Sequence, residues 1–95
     1  MDLTDNQCQE FRDRGWLVIP NVFDQAEVQV LSDAALEVLE RPGPEVGREA
    51  DGSPHVSWGM HLFNKRLALL CRHKNLVNPS RTLLNSDVYV HQSRI

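Results

Sequence analysis

Apolar residues recur at three- and four-residue steps between residues 28 and 38, which predicts an amphipathic helix. Asp24 and Glu27 stand three residues apart at its start, the spacing of a capping box. The run from Pro42 to Pro44 should stop the helix. The side chains predicted to face inward are Val28, Leu31, Ala35 and Val38.

A second capping box, Thr4 with Gln7, predicts a shorter helix from about Asp5 to Arg14. Gly15 follows, and glycine readily adopts the left-handed conformation just past a helix end. The sequence therefore predicts that this helix stops at Gly15.

The second half of the chain predicts two more helices. One covers about Asn64 to His73, with Phe63, Leu67, Leu70 and Cys71 inward. The other covers Pro79 to Leu84, with Asn78 as its cap, Pro79 at its first position and Asn85 at its end.

Two short apolar runs predict strands, namely Trp16 to Ile19 and the closing segment Asp87 to Ile95. Residues 41–54 are rich in proline and glycine, and Asp51 with Gly52 predicts a tight turn in a loop or hairpin tip. The predicted class is α+β, with an incomplete sheet, because two strands alone are marginal. The closing strand should lack a partner, which favours self-association through its edge.

Charge is unevenly distributed. Residues 1–61 carry four basic and twelve acidic side chains, and residues 62–95 carry six and one. The basic end could face an anionic cosubstrate, or the two halves could simply have complementary surfaces. The basic residues are too scattered to favour nucleic acid. No membrane span and no secretory signal is predicted, so a cytoplasmic setting is expected.

Candidate metal ligands are four histidines, and none begins a His-x-Asp or His-x-Glu motif. A non-haem iron site needs two histidines and a carboxylate, so a site assembled from His55, His61 and His91 is a remote alternative to ordinary surface histidines. In the cluster Trp58 to His61, a core role for Trp58 and close backbone passage at Gly59 are favoured over pocket lining.

The closing segment has a mixed face. Strand alternation would place Val88, Val90, Gln92 and Arg94 on one side. If the valines point into an apolar interior, the amide and guanidinium need polar partners there. A bound polar ligand or a solvated sheet end would each supply them.

The residues from Leu83 to Ile95 closely resemble a segment of ectoine hydroxylases and other members of the phytanoyl-CoA dioxygenase family. Residues 3–23 resemble the family's first helix and strand, and residues 51–72 follow its hairpin and helix in order. The resemblance covers residues 1–95 as the N-terminal segment of such a domain.

The resemblance implies a double-stranded β-helix, or jelly roll, that binds Fe(II) and 2-oxoglutarate and hydroxylates a small molecule. It assigns a substrate contact to Gln92 alone. In the family, the lysine that meets 2-oxoglutarate and the His-x-Asp metal pair follow the position of Ile95. The expectation is a truncated oxygenase, inactive by itself, with no catalytic residue, metal ligand or bound cofactor in this chain. The alternative is a non-catalytic, partner-binding or regulatory module that keeps this scaffold.

Overall fold

The computed structural model describes residues 2–95 as a helical chain around one small hairpin. The elements in chain order are α1 (Asp5–Arg14), α2 (Gln25–Leu39), β1 (Val46–Arg48), β2 (Pro54–Ser57), a 3₁₀ helix (Met60–Leu62), α3 (Lys65–Leu70) and α4 (Lys74–Leu84). No helix within residues 2–95 is long and apolar enough to cross a membrane.

Both predicted capping boxes are confirmed. The Thr4 hydroxyl accepts a hydrogen bond from the backbone N–H of Gln7 at 3.1 Å. The Asp24 carboxylate accepts one from the backbone N–H of Glu27 at 2.8 Å. Gly15 ends α1 in the left-handed conformation, with φ of 81°. These features depend only on neighbouring residues, which is why they can be predicted from the sequence.

The core lies where α2 packs against α3. Ala34, Val38 and Leu67 are buried together, and Leu31, Met60, Leu70 and Ile95 surround them. Two of the predicted inward positions therefore need correction. Val28 is 49% exposed, and Ala34 rather than Ala35 is the buried alanine. The core-facing positions of α2 are therefore Leu31, Ala34 and Val38, which pack with Leu67 of α3.

A polar contact joins α2 and α3 at their surface. Glu37 accepts hydrogen bonds from the Asn64 amide group, at 2.9 Å, and from the Arg66 guanidinium. Asn64 also caps α3 through its side-chain oxygen. One side chain thus starts α3 and ties it to α2.

The predicted strand at Trp16 to Ile19 is wrong. These residues form no ladder, and Trp16 and Val18 are 55% and 71% exposed. A β-branched apolar run becomes a strand only when another strand pairs with it, and none lies beside it within residues 2–95.

The proline- and glycine-rich region is a hairpin. β1 and β2 pair antiparallel, with Val46 opposite Ser57, and Gly52 has φ of 90° in the connecting turn. The predicted turn at Asp51 and Gly52 is confirmed, and the Ser53 hydroxyl donates to the Asp51 carboxylate at 2.6 Å. This hydrogen bond lowers the pKa of Asp51 below its usual value.

The closing segment differs from the predicted strand. Residues 87–92 are irregular, and only its end pairs with the hairpin. Ser57 and Ile95 exchange two backbone hydrogen bonds, at 2.9 and 3.0 Å, beside an isolated bridge between Trp58 and Arg94. The expectation that this segment lacks a partner is therefore wrong. Self-association through its edge stays a prediction.

The fourth helix begins earlier than predicted. Asn78 is not its cap and Pro79 is not its first residue, because α4 starts at Lys74 and contains Pro79 in its interior. His73 supplies the cap, since its Nδ1 accepts a hydrogen bond from the backbone N–H of Asn75 at 3.0 Å. The predicted end at Asn85 is confirmed, with φ of 50°.

His73 also holds the start of α4 against α2. Its Nε2 lies 3.2 Å from the Glu27 carboxylate, and its ring meets Phe23 edge-on. We expect His73→Ala to lower the free energy of unfolding by about 0.5–1 kcal/mol, because the cap is lost. His73→Asn replaces the Nδ1 acceptor with a capping oxygen and should recover most of that loss in urea unfolding. Equal losses in both variants would contradict a capping role.

Candidate functional site

An open groove of about 900 Å³ lies beside α4. One wall is apolar and comes from α3 and α4, including Ala68, Leu76 and Val77. The other wall is the irregular segment Val88 to Ser93. We call this cavity the α4 groove.

Six consecutive residues, from Val88 to Ser93, contribute to the α4 groove. An extended strand would present only alternate residues, so the predicted division into two faces is wrong. Arg94, predicted on the same face as Gln92, instead lies in the bridge with Trp58 and does not line the groove.

Gln92 lines the α4 groove. Its side chain is exposed, and nearby polar groups are His61, His91 and Ser93. Arg72 adds a positive charge to the lining. The described residues that line the groove include no aspartate or glutamate. The groove is therefore suited to a ligand with both apolar surface and a carboxylate or other acceptor.

A hydrogen bond joins His61 Nδ1 to the Ser93 hydroxyl across the end of the groove. This contact could not be predicted from the sequence, because the two residues are far apart in the chain and no local pattern links them. The backbone pairing of residues 57–59 with residues 93–95 brings them together.

The cluster Trp58 to His61 does not behave as predicted. Trp58 is 47% exposed, so its assigned role as a core anchor is wrong. Gly59 is needed for its positive φ of 66°, since an added Cβ would meet no atom closer than 3.7 Å. The alternative of pocket lining holds for His61, which contacts the α4 groove.

The scattered histidine site is not assembled. His55 lies on β2, with its Nδ1 3.6 Å from the Glu49 carboxylate, whereas His61 and His91 line the groove. Across residues 2–95, no three side chains of His, Cys, Asp or Glu come together as a metal site. These residues therefore do not fit a non-haem iron centre by themselves.

Comparison with known proteins gives a consistent set of relatives. The chain is 36% identical over 98 residues to the ectoine dioxygenase of Bordetella bronchiseptica, which aligns 97% of this chain with 32% of that protein. It is 32% identical over 93 residues to the ectoine dioxygenase of Stutzerimonas stutzeri, with 92% and 30% covered. For the ectoine dioxygenase of Streptomyces avermitilis the identity is 26%, with 98% and 33% covered.

The chain is similar to ectoine dioxygenases along nearly its whole length. It spans about a third of the length of the curated relatives that it matches. No protein-family model matches the sequence. The predicted resemblance to ectoine hydroxylases is confirmed at the level of these relatives, whereas the wider phytanoyl-CoA dioxygenase family stays a prediction.

Proposed function

We propose that this chain provides part of the substrate site of a dioxygenase that hydroxylates ectoine or a closely related small molecule. The observation that carries the proposal is the similarity to ectoine dioxygenases over almost all of the chain. The α4 groove supports it, because Gln92 lines a cavity that has an apolar wall and, among the described residues, no carboxylate.

The proposed role of Gln92 is to hold the polar head of the substrate. Ectoine is a small cyclic amino acid, so it presents both a carboxylate and apolar ring carbons. The Gln92 carboxamide offers two N–H donors and one carbonyl acceptor. The apolar wall formed by residues such as Leu76 and Val77 can cover the ring.

We further propose that the enzyme is a non-haem Fe(II)/2-oxoglutarate oxygenase of the phytanoyl-CoA dioxygenase family, with a double-stranded β-helix. Bound Fe(II) would supply the oxidising chemistry, in which the substrate, oxygen and 2-oxoglutarate would give the hydroxylated substrate, succinate and carbon dioxide, with one oxygen atom going to each of the first two products. The ligand set for iron does not form within residues 2–95. The proposal therefore assigns substrate binding to this chain and metal binding to another part of the enzyme.

A hybrid enzyme tests the proposed function. This chain would replace the matching third of the Bordetella bronchiseptica ectoine dioxygenase. Hydroxylation of ectoine, dependent on Fe(II) and 2-oxoglutarate, is the expected result and can be followed by mass spectrometry. A correctly folded hybrid that binds iron and 2-oxoglutarate but leaves ectoine unchanged would contradict the assignment and favour the partner-binding alternative.

In that hybrid, Gln92→Ala should weaken ectoine binding about three- to tenfold, because one neutral hydrogen bond contributes ~0.5–1.5 kcal/mol. Affinity for 2-oxoglutarate should be almost unchanged. The matched control is Gln29→Ala on the exposed face of α2, where the amide donates to Asp33 at 2.9 Å. If Gln92→Ala weakened 2-oxoglutarate binding and spared ectoine binding, Gln92 would belong to the cosubstrate site.

A further inference from the structure

The segment from Val88 to Gln92 has contacts on both sides, and those that follow it are the stronger ones. Before it, Asp87 forms an exposed ion pair with Arg81 at 2.9 Å, which restrains the backbone little. After it, Ser93 accepts from the Gly59 amide at 2.9 Å through its backbone carbonyl, and Ile95 pairs with Ser57. Within residues 2–95, no backbone amide from 87 to 92 donates a hydrogen bond. The position of Gln92 therefore depends on the anchors next to it.

His61 provides the side-chain anchor on the Gln92 side. Its hydrogen bond to the Ser93 hydroxyl is the one side-chain hydrogen bond that residues 88–95 make within the described chain. Both side chains are half-buried, so water competes less for this hydrogen bond than for one on the open surface. The residue that is fixed, Ser93, directly follows Gln92.

The 3₁₀ helix that contains His61 is joined to the rest of the structure by hydrogen bonds and by packing. Gly59 starts the 3₁₀ helix, and the Leu62 amide donates to the Gly59 carbonyl at 2.9 Å. Met60 packs against the core cluster around Val38 and Leu67. His61 thus extends from a part of the chain joined to the core and contacts a segment that has few other restraints.

We propose that His61 is a positioning residue that fixes Ser93 and thereby presents Gln92 to the α4 groove. The proposal deepens the proposed function, on which the substrate-binding role of Gln92 rests. Ordering a mobile glutamine side chain on ligand binding costs conformational entropy and so weakens affinity. A glutamine on a fixed backbone loses less conformational entropy when the ligand binds. His61 and Ser93, which are well separated in the sequence, thus act together beside Gln92.

The first test uses the 95-residue chain itself and requires no substrate. Amide exchange of Gly59 and side-chain ¹⁵N relaxation of Gln92 are measured by NMR in His61→Ala, Ser93→Ala and the double variant. Each single variant should speed Gly59 exchange about three- to tenfold and increase Gln92 mobility, because one hydrogen bond is lost. The double variant should resemble the singles, since both remove the same contact. His55→Ala is the matched control and should change neither signal.

Two further variants separate positioning from general destabilisation. His61→Asn keeps a hydrogen-bonding group near the position of Nδ1 and should restore part of the order at Gln92. Leu62→Ala alters an exposed neighbour in the same 3₁₀ helix and should leave that order unchanged. Unchanged Gln92 relaxation in a folded His61→Ala chain, or fully additive effects of the two substitutions, would overturn the proposal.

The second test uses the hybrid enzyme. His61→Ala and Ser93→Ala should each raise KM for ectoine about three- to tenfold, with kcat and KM for 2-oxoglutarate nearly constant. A fall in kcat at unchanged KM would assign His61 to the chemical step instead. An inactive hybrid would count against the proposed function, whereas the NMR result on the chain would still decide whether His61 positions Gln92.

Discussion

Leu67→Ala should lower the free energy of unfolding by about 2–5 kcal/mol, the range for deletion of a buried leucine. Leu67 is 3% exposed and lies in the cluster that joins α2 to α3. The buried hydrophobic residues of the described chain are few and small, namely Ala34, Val38, Val46, Val56 and Leu67. Leu67 is the largest of them. Because the free energy of unfolding of native proteins is about 5–15 kcal/mol, this single truncation should remove a large fraction of it.

The matched control is Leu69→Ala, two residues further along α3. Leu69 is 53% exposed, so its truncation deletes the same atoms with little loss of burial. Urea unfolding followed by far-UV circular dichroism measures both variants. Similar losses for the two leucines would show that α2 and α3 do not form the core described above.

The elements that the sequence predicted well are those fixed by close neighbours. The capping boxes at Thr4 and Asp24 need only a partner three residues away, and Gly15 and Asn85 need only their own backbone preference. Interactions between neighbouring residues determine these helix ends, so contacts with distant parts of the chain change them little.

The strands were predicted poorly because pairing is decided by distant residues. The run from Trp16 to Ile19 has the composition of a strand but no partner within residues 2–95, whereas β2 begins at a proline and still pairs with β1. At the other end, Ile95 pairs with Ser57 although the preceding valines do not join the ladder. Composition therefore indicated β structure without showing where the hydrogen bonds would form.

In the candidate site, too, features that depend on residues distant in the sequence could not be predicted. Gln92 was found through its resemblance to a known segment, and the structure places it at the α4 groove. His61 was considered as a remote metal ligand and, within its cluster, as an alternative pocket-lining residue, yet its contact with Ser93 beside Gln92 was not predicted. No local pattern could reveal that contact, because it depends on the pairing of residues 57–59 with residues 93–95.

The same pairing depends on the hairpin, in which Gly47 gives Trp58 room. β2 lies between β1 and the last residues of the sequence. The backbone N–H of Ser57 donates to the Ile95 carbonyl on one side, and that of Trp58 donates to the Glu45 carbonyl on the other. A Cβ added at Gly47 would lie 2.9 Å from the Trp58 ring and 2.7 Å from Val56. A larger side chain at this position must displace one of these neighbours.

Gly47→Leu should therefore cost about 1–3 kcal/mol of unfolding free energy, the usual range for overpacking. The displaced ring belongs to the residue that follows Ser57, so amide exchange of Ile95 should also become faster. The control is the same substitution combined with Trp58→Ala. Removing the ring opens space, so Gly47→Leu should cost less in that background, and the difference measures the coupling between the two positions. If Gly47→Leu cost the same with and without the Trp58 ring, the close approach of that ring to Gly47 would not be what requires glycine here.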